Sequence, residues 1–148
     1  MVQVASSMGR SKKPFVDVEV KGIAEVQRYL QQTGKYIEAG ADAGVAKGAN
    51  LVQQEVQESI IGNRSETKSV DTGNFGNSIH VDKVDTAVFK IFPQGIYPNG
   101  TTVEEVATWL EYGTEKITER RHFRNSMARK ENEVKEIIAR EVRNATRQ

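Results

Sequence analysis

The sequence predicts an α+β fold, in which a small antiparallel sheet with a β-hairpin packs against a long central helix and a C-terminal helix. Two stretches, residues 35–60 and 121–145, carry apolar residues at every third or fourth position, which indicates amphipathic helices. Three shorter segments are rich in apolar and β-branched residues that partly alternate with polar ones, which indicates strands. The length of 148 residues fits one domain, because domains commonly hold about 100–200 residues.

The N-terminal part of the chain divides into an arm and the first elements of the domain. Residues 1–14 combine serines, a glycine, a proline and three basic side chains. We therefore expect a flexible arm that becomes ordered only against neighbours. The domain is expected to cover residues 15–148. Its first strand is predicted over residues 15–21, and a short helix is expected to follow up to Gly34.

The long helix over residues 35–60 is rich in alanine and glycine in its N-terminal half. Small side chains let another backbone approach closely, although each glycine costs up to about 1 kcal/mol of helix propensity. Two partners for this half stay open, namely the sheet of the same chain or a helix of a neighbouring subunit. The candidate subunit contacts on the helix are Ala39, Gly40, Ala43 and Gly44.

A loop and a β-hairpin follow the long helix. Turn-forming residues are dense over residues 62–76, which predicts a loop. Strands are expected over residues 78–84 and 87–92, joined by a short turn. These segments complete the predicted sheet.

Two helices end the chain. Residues 103–112 predict a short helix that Thr101 or Thr102 can cap and that Gly113 ends. Trp109 and Tyr112 are expected to lie where this helix meets the core. The final helix, over residues 121–145, carries an apolar stripe that includes Phe123.

Composition excludes several classes of protein. The chain has no cysteine, so disulfides, zinc ribbons, cysteine-held iron–sulfur clusters and thiol catalysis are excluded. Its net charge of +1 does not fit a domain that binds nucleic acid by bulk charge. No apolar run approaches the roughly 18 residues of a membrane span, so we expect a soluble protein with no membrane partner.

The motifs that suggest catalysis or metal binding are weak. Asp71-Thr72-Gly73 is the tripeptide of aspartic proteases, but it follows a long helix and not a strand of an all-β domain. We expect it to form a structural turn. His80 and His122 lie far apart in the sequence, without the clustering of metal ligands. We therefore predict no enzyme, no metal and no cofactor.

An alternative function is nucleic-acid binding through the start of the last helix. Residues 119–148 hold nine basic and five acidic side chains. Most of them alternate in sign, as on a solvated helix face. The dense cluster of Arg120, Arg121 and Arg124 carries this alternative.

One set of short motifs is more specific in its order and spacing. A long helix rich in small residues is followed by a D-T-G loop, an S-I pair that opens a strand, an E-Y-G-T segment, and a Phe near the start of the last helix. This order resembles the phage minor tail component family, also called tail-completion, head–tail joining or neck proteins, over roughly residues 35–145. The residues that carry the resemblance are Asp71, Thr72, Gly73, Ser78, Ile79, Glu111, Tyr112, Gly113, Thr114 and Phe123.

The resemblance implies a non-enzymatic structural protein of the virion. The resemblance also implies that the chain forms a homo-oligomeric ring, with six copies expected. The expected partners are other neck or tail proteins, such as a connector, a tail terminator or a tail tube, with DNA present at most as the passing genome. The expected location is the virion, and the host cytoplasm during assembly.

Two further expectations concern contacts. The hairpin edge, which carries Lys83 and Lys90, and the loop of residues 63–77 are expected to form one side of the subunit contact, since an open strand edge invites pairing. The alanine- and glycine-rich turns of the long helix, residues 39–49, are expected to form much of the other side. Glu111 lies near the C-terminal end of its predicted helix, where a negative charge is unfavourable. We therefore expect a cationic partner among the three arginines named above, in the same or the next subunit, with simple solvation of the carboxylate as the alternative.

Overall fold

The structure, a computed structural model, describes residues 3–8, 16–21, 35–69 and 74–147. Its arrangement of helices against a sheet confirms the predicted α+β class. Asp71, Thr72 and Gly73, the expected short helix after the first strand, and residues 9–14 of the expected arm lie outside the described residues. The described elements are β1 (Gln3–Met8), β2 (Val16–Lys21), α1 (Lys35–Ile60), α2 (Asn74–Asn77), β3 (Ile79–Asp85), β4 (Val88–Pro93), α3 (Val103–Tyr112) and α4 (His122–Thr146).

The four described strands form one sheet in the order β1-β2-β4-β3. Each strand is antiparallel to its neighbour, with Val20 paired to Val4 on one side and to Phe89 on the other. The hairpin lies one residue later than predicted at both strands. Its regular register is interrupted between Lys83 and Asp85.

Strand β1 corrects one expectation, because it falls within the segment predicted as a flexible arm. Residues Gln3–Met8 pair with Val16–Lys21 over six residue pairs. Strand pairing uses backbone hydrogen bonds, so a segment of modest hydrophobicity can still extend a sheet. The composition of residues 1–14 does not show this partner.

Helices α1 and α4 lie side by side on one face of the sheet. Helix α1 contacts β2, β3 and β4, whereas α4 contacts β1 and β2, and the two helices contact each other along their lengths. They run antiparallel, since Gly40 lies against Ala145 and Gly48 against Val134. Helix α4, in the second half of the chain, therefore runs back along α1.

Three glycines of α1 allow this close approach of α4. A Cβ built on Gly40 would lie 2.7 Å from the Ala145 Cβ, and one on Gly44 would lie 2.8 Å from the Ile138 Cα. Both distances are too short for real atoms. Gly40 and Gly44 are thus buried against a helix of the same chain, which corrects their assignment as subunit contacts.

The core fills the space between the helix pair and the sheet. Nearly every third or fourth residue of α1 contributes, and Phe123 and Ile91 are among its most buried large side chains. The apolar positions of α1 are Ile37, Ala41, Val45, Ala49, Val52, Val56 and Ile60.

The ends of α3 agree with the sequence. Thr102 Oγ1 accepts the N–H of Glu105, and the Glu105 side chain accepts the N–H of Thr102, which is a complete capping box. Gly113 follows the helix with φ of 78°. A Cβ there would lie 2.9 Å from the Ile117 carbonyl oxygen, so the position requires glycine.

Candidate assembly interface and the joint behind it

Glu111 joins the last two helices. Its side chain is 1% exposed, and its carboxylate accepts the N–H groups of Phe123 at 3.0 Å and Arg124 at 2.9 Å. The residue at the N-cap of α4, Arg121, has a φ of 54° and makes no side-chain cap. Glu111 therefore caps α4 from another helix and places its charge at the positive end of that helix.

Arg124 is the cationic partner that was expected for Glu111. Its Nε donates to the Glu111 carboxylate at 3.1 Å, and its Nη2 donates to the Glu111 carbonyl oxygen at 2.6 Å. The guanidinium also lies 4.7 Å from the centre of the Tyr112 ring. One arginine thus binds the end of α3 and the start of α4, and the predicted pairing is confirmed.

The other residues of the E-Y-G-T segment surround this joint. Tyr112 packs against the core, and Thr114 Oγ1 accepts the N–H groups of Lys116 and Ile117, which shapes the turn. Trp109 was expected to lie with Tyr112 at the core but is 41% exposed. The expectation is wrong there, because Trp109 occupies a helix position that turns outward.

Ile79 is the first residue of β3, whereas Ser78, which was predicted to open the strand, lies in the turn just before it. Ser78 Oγ donates to the Phe75 carbonyl oxygen at 2.6 Å and closes the short helix α2. The Ser78 carbonyl accepts the N–H of Gln94 at 2.9 Å, and the Ile79 side chain is buried in the core. The pair therefore fixes where the hairpin begins.

A buried ionic cluster, which the sequence did not reveal, anchors the loop after α1. Glu55 accepts two hydrogen bonds from Arg64, at 2.7 and 2.9 Å, and one from Arg129 at 2.7 Å. Arg129 also donates to Glu66 at 2.5 Å. The Arg64 hydrogen bond, with that from Arg129, outweighs burial and lowers the pKa of Glu55 from 4.5 to about 2.

His122 lies beside this cluster and contacts the same loop. Its Nδ1 lies 2.7 Å from Ser59 Oγ on α1, and its Nε2 lies 2.6 Å from Ser69 Oγ. Arg120 donates to Ser69 Oγ at 2.7 Å. In the neutral ring one nitrogen donates and the other accepts, so both serine contacts can be satisfied.

Burial is the largest cause that lowers the pKa of His122, to about 4. The nearby guanidinium groups of Arg120 and Arg129 act in the same direction, whereas Glu66 opposes them. A histidine with this pKa is neutral and a weak base near pH 7. The contacts therefore suit anchoring of the loop rather than proton transfer.

Sequence reasoning missed this group because its members are distant along the chain. Ser59 and His122 are 63 residues apart, and Glu55 and Arg129 are 74 apart. Each charged residue alone is compatible with a solvated surface. The available signal was Glu55 itself, which lies beside Val56 on the apolar stripe of α1.

The remaining candidate contacts lie on the surface near the hairpin. Ala39 and Ala43 are exposed on α1. Lys83 donates to Asp42 at 2.8 Å. Lys90 is half-buried on β4, which pairs with β2 on one side and β3 on the other, so its expected place on an open strand edge is wrong. Asp42 Oδ1 also accepts the N–H of Ala87 at 3.0 Å. Asp42 therefore holds the hairpin turn against α1.

The three arginines of the nucleic-acid alternative each have a partner within the chain. Arg120 donates to the Lys68 carbonyl oxygen at 2.8 Å as well as to Ser69. Arg121 pairs with Glu119, and Arg124 pairs with Glu111 and, at 3.3 Å, with Glu119. Local carboxylates thus balance much of the positive charge that carried this alternative.

Comparison of the chain with protein-family models, curated proteins and solved structures found no match. In the described part of the chain, no helix is both long and apolar enough to cross a bilayer. Among the same residues, no cluster of three or more His, Asp or Glu side chains is arranged to hold a metal ion.

Proposed function

We propose that this chain is a non-enzymatic structural subunit of a phage virion, which forms a homo-oligomeric ring at the head–tail junction. The ring would complete the tail or join it to the head, with six copies as the first expectation. Its partners would be a connector, a tail terminator or a tail tube. The protein would assemble in the host cytoplasm and then remain in the virion.

The observation that carries the proposal is the joint around Glu111. The E-Y-G-T segment and Phe123, which carry the resemblance in the second half of the chain, meet at one place although they are distant enough in sequence to have separate roles. Their contacts cap and connect α3 and α4. These motif residues cap and connect helices, which supports a structural role for the protein.

The surface also supports a subunit that contacts neighbours. Five large hydrophobic side chains of the described residues are exposed, and the three most exposed lie at separate places: Tyr36 at the start of α1, Val84 near the hairpin tip, and Ile96 in the loop before α3. A ring built by rotation uses two different patches on each subunit. Apolar residues on more than one side fit that requirement.

Loss of the gene in its phage tests this proposal. We expect particles with full heads and separate tails that fail to join, and we expect the supplied chain to restore complete particles. Electron microscopy distinguishes these states. Complete, infectious particles without the protein would overturn the proposal, as would protein that is absent from purified virions. Salt-dependent binding to duplex DNA by the isolated chain would instead favour the nucleic-acid alternative.

A further inference from the structure

We propose that subunits join by strand addition: β3 of one copy pairs antiparallel with β1 of the next copy. This inference rests on the proposed ring and names the surfaces that close it. In the described residues, β1 and β3 are the outer strands of the sheet. Each therefore has one edge with backbone donors and acceptors that no described strand pairs, and such edges readily add a strand from another chain.

Strand direction favours this pairing in a ring. Because every described pair is antiparallel, β1 and β4 run one way while β2 and β3 run the other. Rotation about an axis parallel to the strands preserves these directions. A neighbour placed by such a rotation presents its β1 antiparallel to β3, as at every other pair in the sheet.

Strand length and charge favour β1 of the next copy as the strand that pairs with β3. Strand β1 has six residues and β3 has seven, and β1 carries no charged residue. Self-pairing of two β3 strands about their centre would place Asp82 opposite Asp82, which is unfavourable for like charges.

The helices of neighbouring copies would also lie side by side. Helix α4 lies over β1 and β2, and α1 lies over β3 and β4. Pairing of β3 with the next copy's β1 would therefore bring the next copy's α4 towards α1. Ala39 and Ala43 are exposed on α1, and their small side chains allow a second helix to approach.

Paired cysteines in the full chain test the inference, because the chain has no cysteine of its own. The variants combine Asp82→Cys with one of four substitutions in β1: Val4→Cys, Ala5→Cys, Ser6→Cys or Ser7→Cys. Within one chain β1 and β3 are three strand spacings, about 14 Å, apart. A disulfide needs Cα atoms within about 7 Å, so any bond must join two copies.

Under oxidation we expect a ladder of covalent oligomers for one or two neighbouring pairs and none for the rest, because one register brings only some positions together. Asp82→Cys alone and a pair of Ala5→Cys with Asn50→Cys on the exposed side of α1 are the controls.

Native mass spectrometry of the unmodified chain separates failure of this inference from failure of the proposed function. A closed oligomer without any β1–β3 disulfide would overturn strand addition but leave the ring. Covalent dimers from Asp82→Cys alone would show β3 self-pairing and also overturn it. A chain that is monomeric at every concentration would count against the ring itself.

Discussion

Glu111 occupies a position that is unfavourable for its own helix and favourable for the next one. The C-terminal end of α3 repels its charge, whereas the start of α4 supplies two N–H donors and Arg124. The side chain is buried, so these donors replace the water that a carboxylate otherwise requires. The residue thus couples α3 to α4 and caps the start of α4, where Arg121 makes no side-chain cap.

Replacement of Glu111 by glutamine tests this coupling. Glu111→Gln keeps the shape but removes the charge and points an amide NH2 towards N–H donors. We expect the free energy of unfolding to fall by about 1–3 kcal/mol, measured by urea denaturation. Glu115→Gln, at an exposed position of the following turn, is the control and should change stability by less than about 0.5 kcal/mol. Equal stability of the two variants would contradict the capping role.

His122 makes stability depend on pH. Its pKa is about 4 in the folded chain and 6.5 as the ordinary value. Between these values the unfolded chain binds a proton that the folded chain does not, so stability is full above pH 6.5 and falls as the pH drops towards 4. The loss is up to about 3 kcal/mol over this range.

His122→Gln should remove this component of the pH dependence, although it lowers stability at neutral pH. Urea denaturation between pH 4 and 6.5 measures the slope directly. The matched control is His80→Gln, since His80 is the other histidine of the chain and is exposed on β3. If His122→Gln keeps the same slope as the unmodified chain, the buried neutral histidine is not its source.

At the scale of elements, the contact between α1 and α4 depends on glycine. Gly44→Ala would place a Cβ 2.8 Å from the backbone Ile138 Cα, which the helices can relieve only by separating. We expect a loss of about 1–3 kcal/mol from overpacking, even though alanine is the better helix former. In the control, Gly76→Ala, the nearest atom lies 3.9 Å away, so little loss is expected. Urea denaturation of both variants decides, and a Gly44→Ala chain as stable as the control would contradict the close packing.

The sequence predicted the helices better than their partners. The bounds of α1 and α3 agree with prediction, because an uninterrupted apolar stripe defines α1 and because Thr102 and Gly113 mark the ends of α3. The alanine- and glycine-rich half of α1 indicated a close contact, but nothing local in the chain identifies α4 as the partner. Periodicity reports which face is buried and not what covers it.

Two features were not predicted from the sequence: strand β1, and the contacts of Glu55, Arg129 and His122. The physical reason is the same for both. Backbone pairing at a sheet edge leaves little trace in composition. Buried ion pairs form between residues that look like ordinary surface charges until the chain brings them together. The pairing of Glu111 with Arg124 was predictable because an acid at a helix C-terminus needs a cation.

For the whole molecule, the exposed alanines of α1 are expected to lie in the contact with the next subunit. Ala43→Trp adds a large side chain there without touching the core, since Ala43 is exposed. We expect a folded chain, by circular dichroism and urea denaturation, that no longer forms rings, and Ala43→Ser should assemble normally. Normal assembly of Ala43→Trp, or its outright unfolding, would show that the contact surface is elsewhere.

Native mass spectrometry of the purified full chain, over a range of concentrations, tests the central claim most directly. A structural ring subunit is expected to give one closed oligomer with a fixed number of copies, six in the first expectation, and no continuous series of larger species. Head-to-tail contacts close in this way when the rotation between copies completes a circle. A chain that remains monomeric throughout, both alone and mixed with the neck and tail proteins of its phage, would contradict the account.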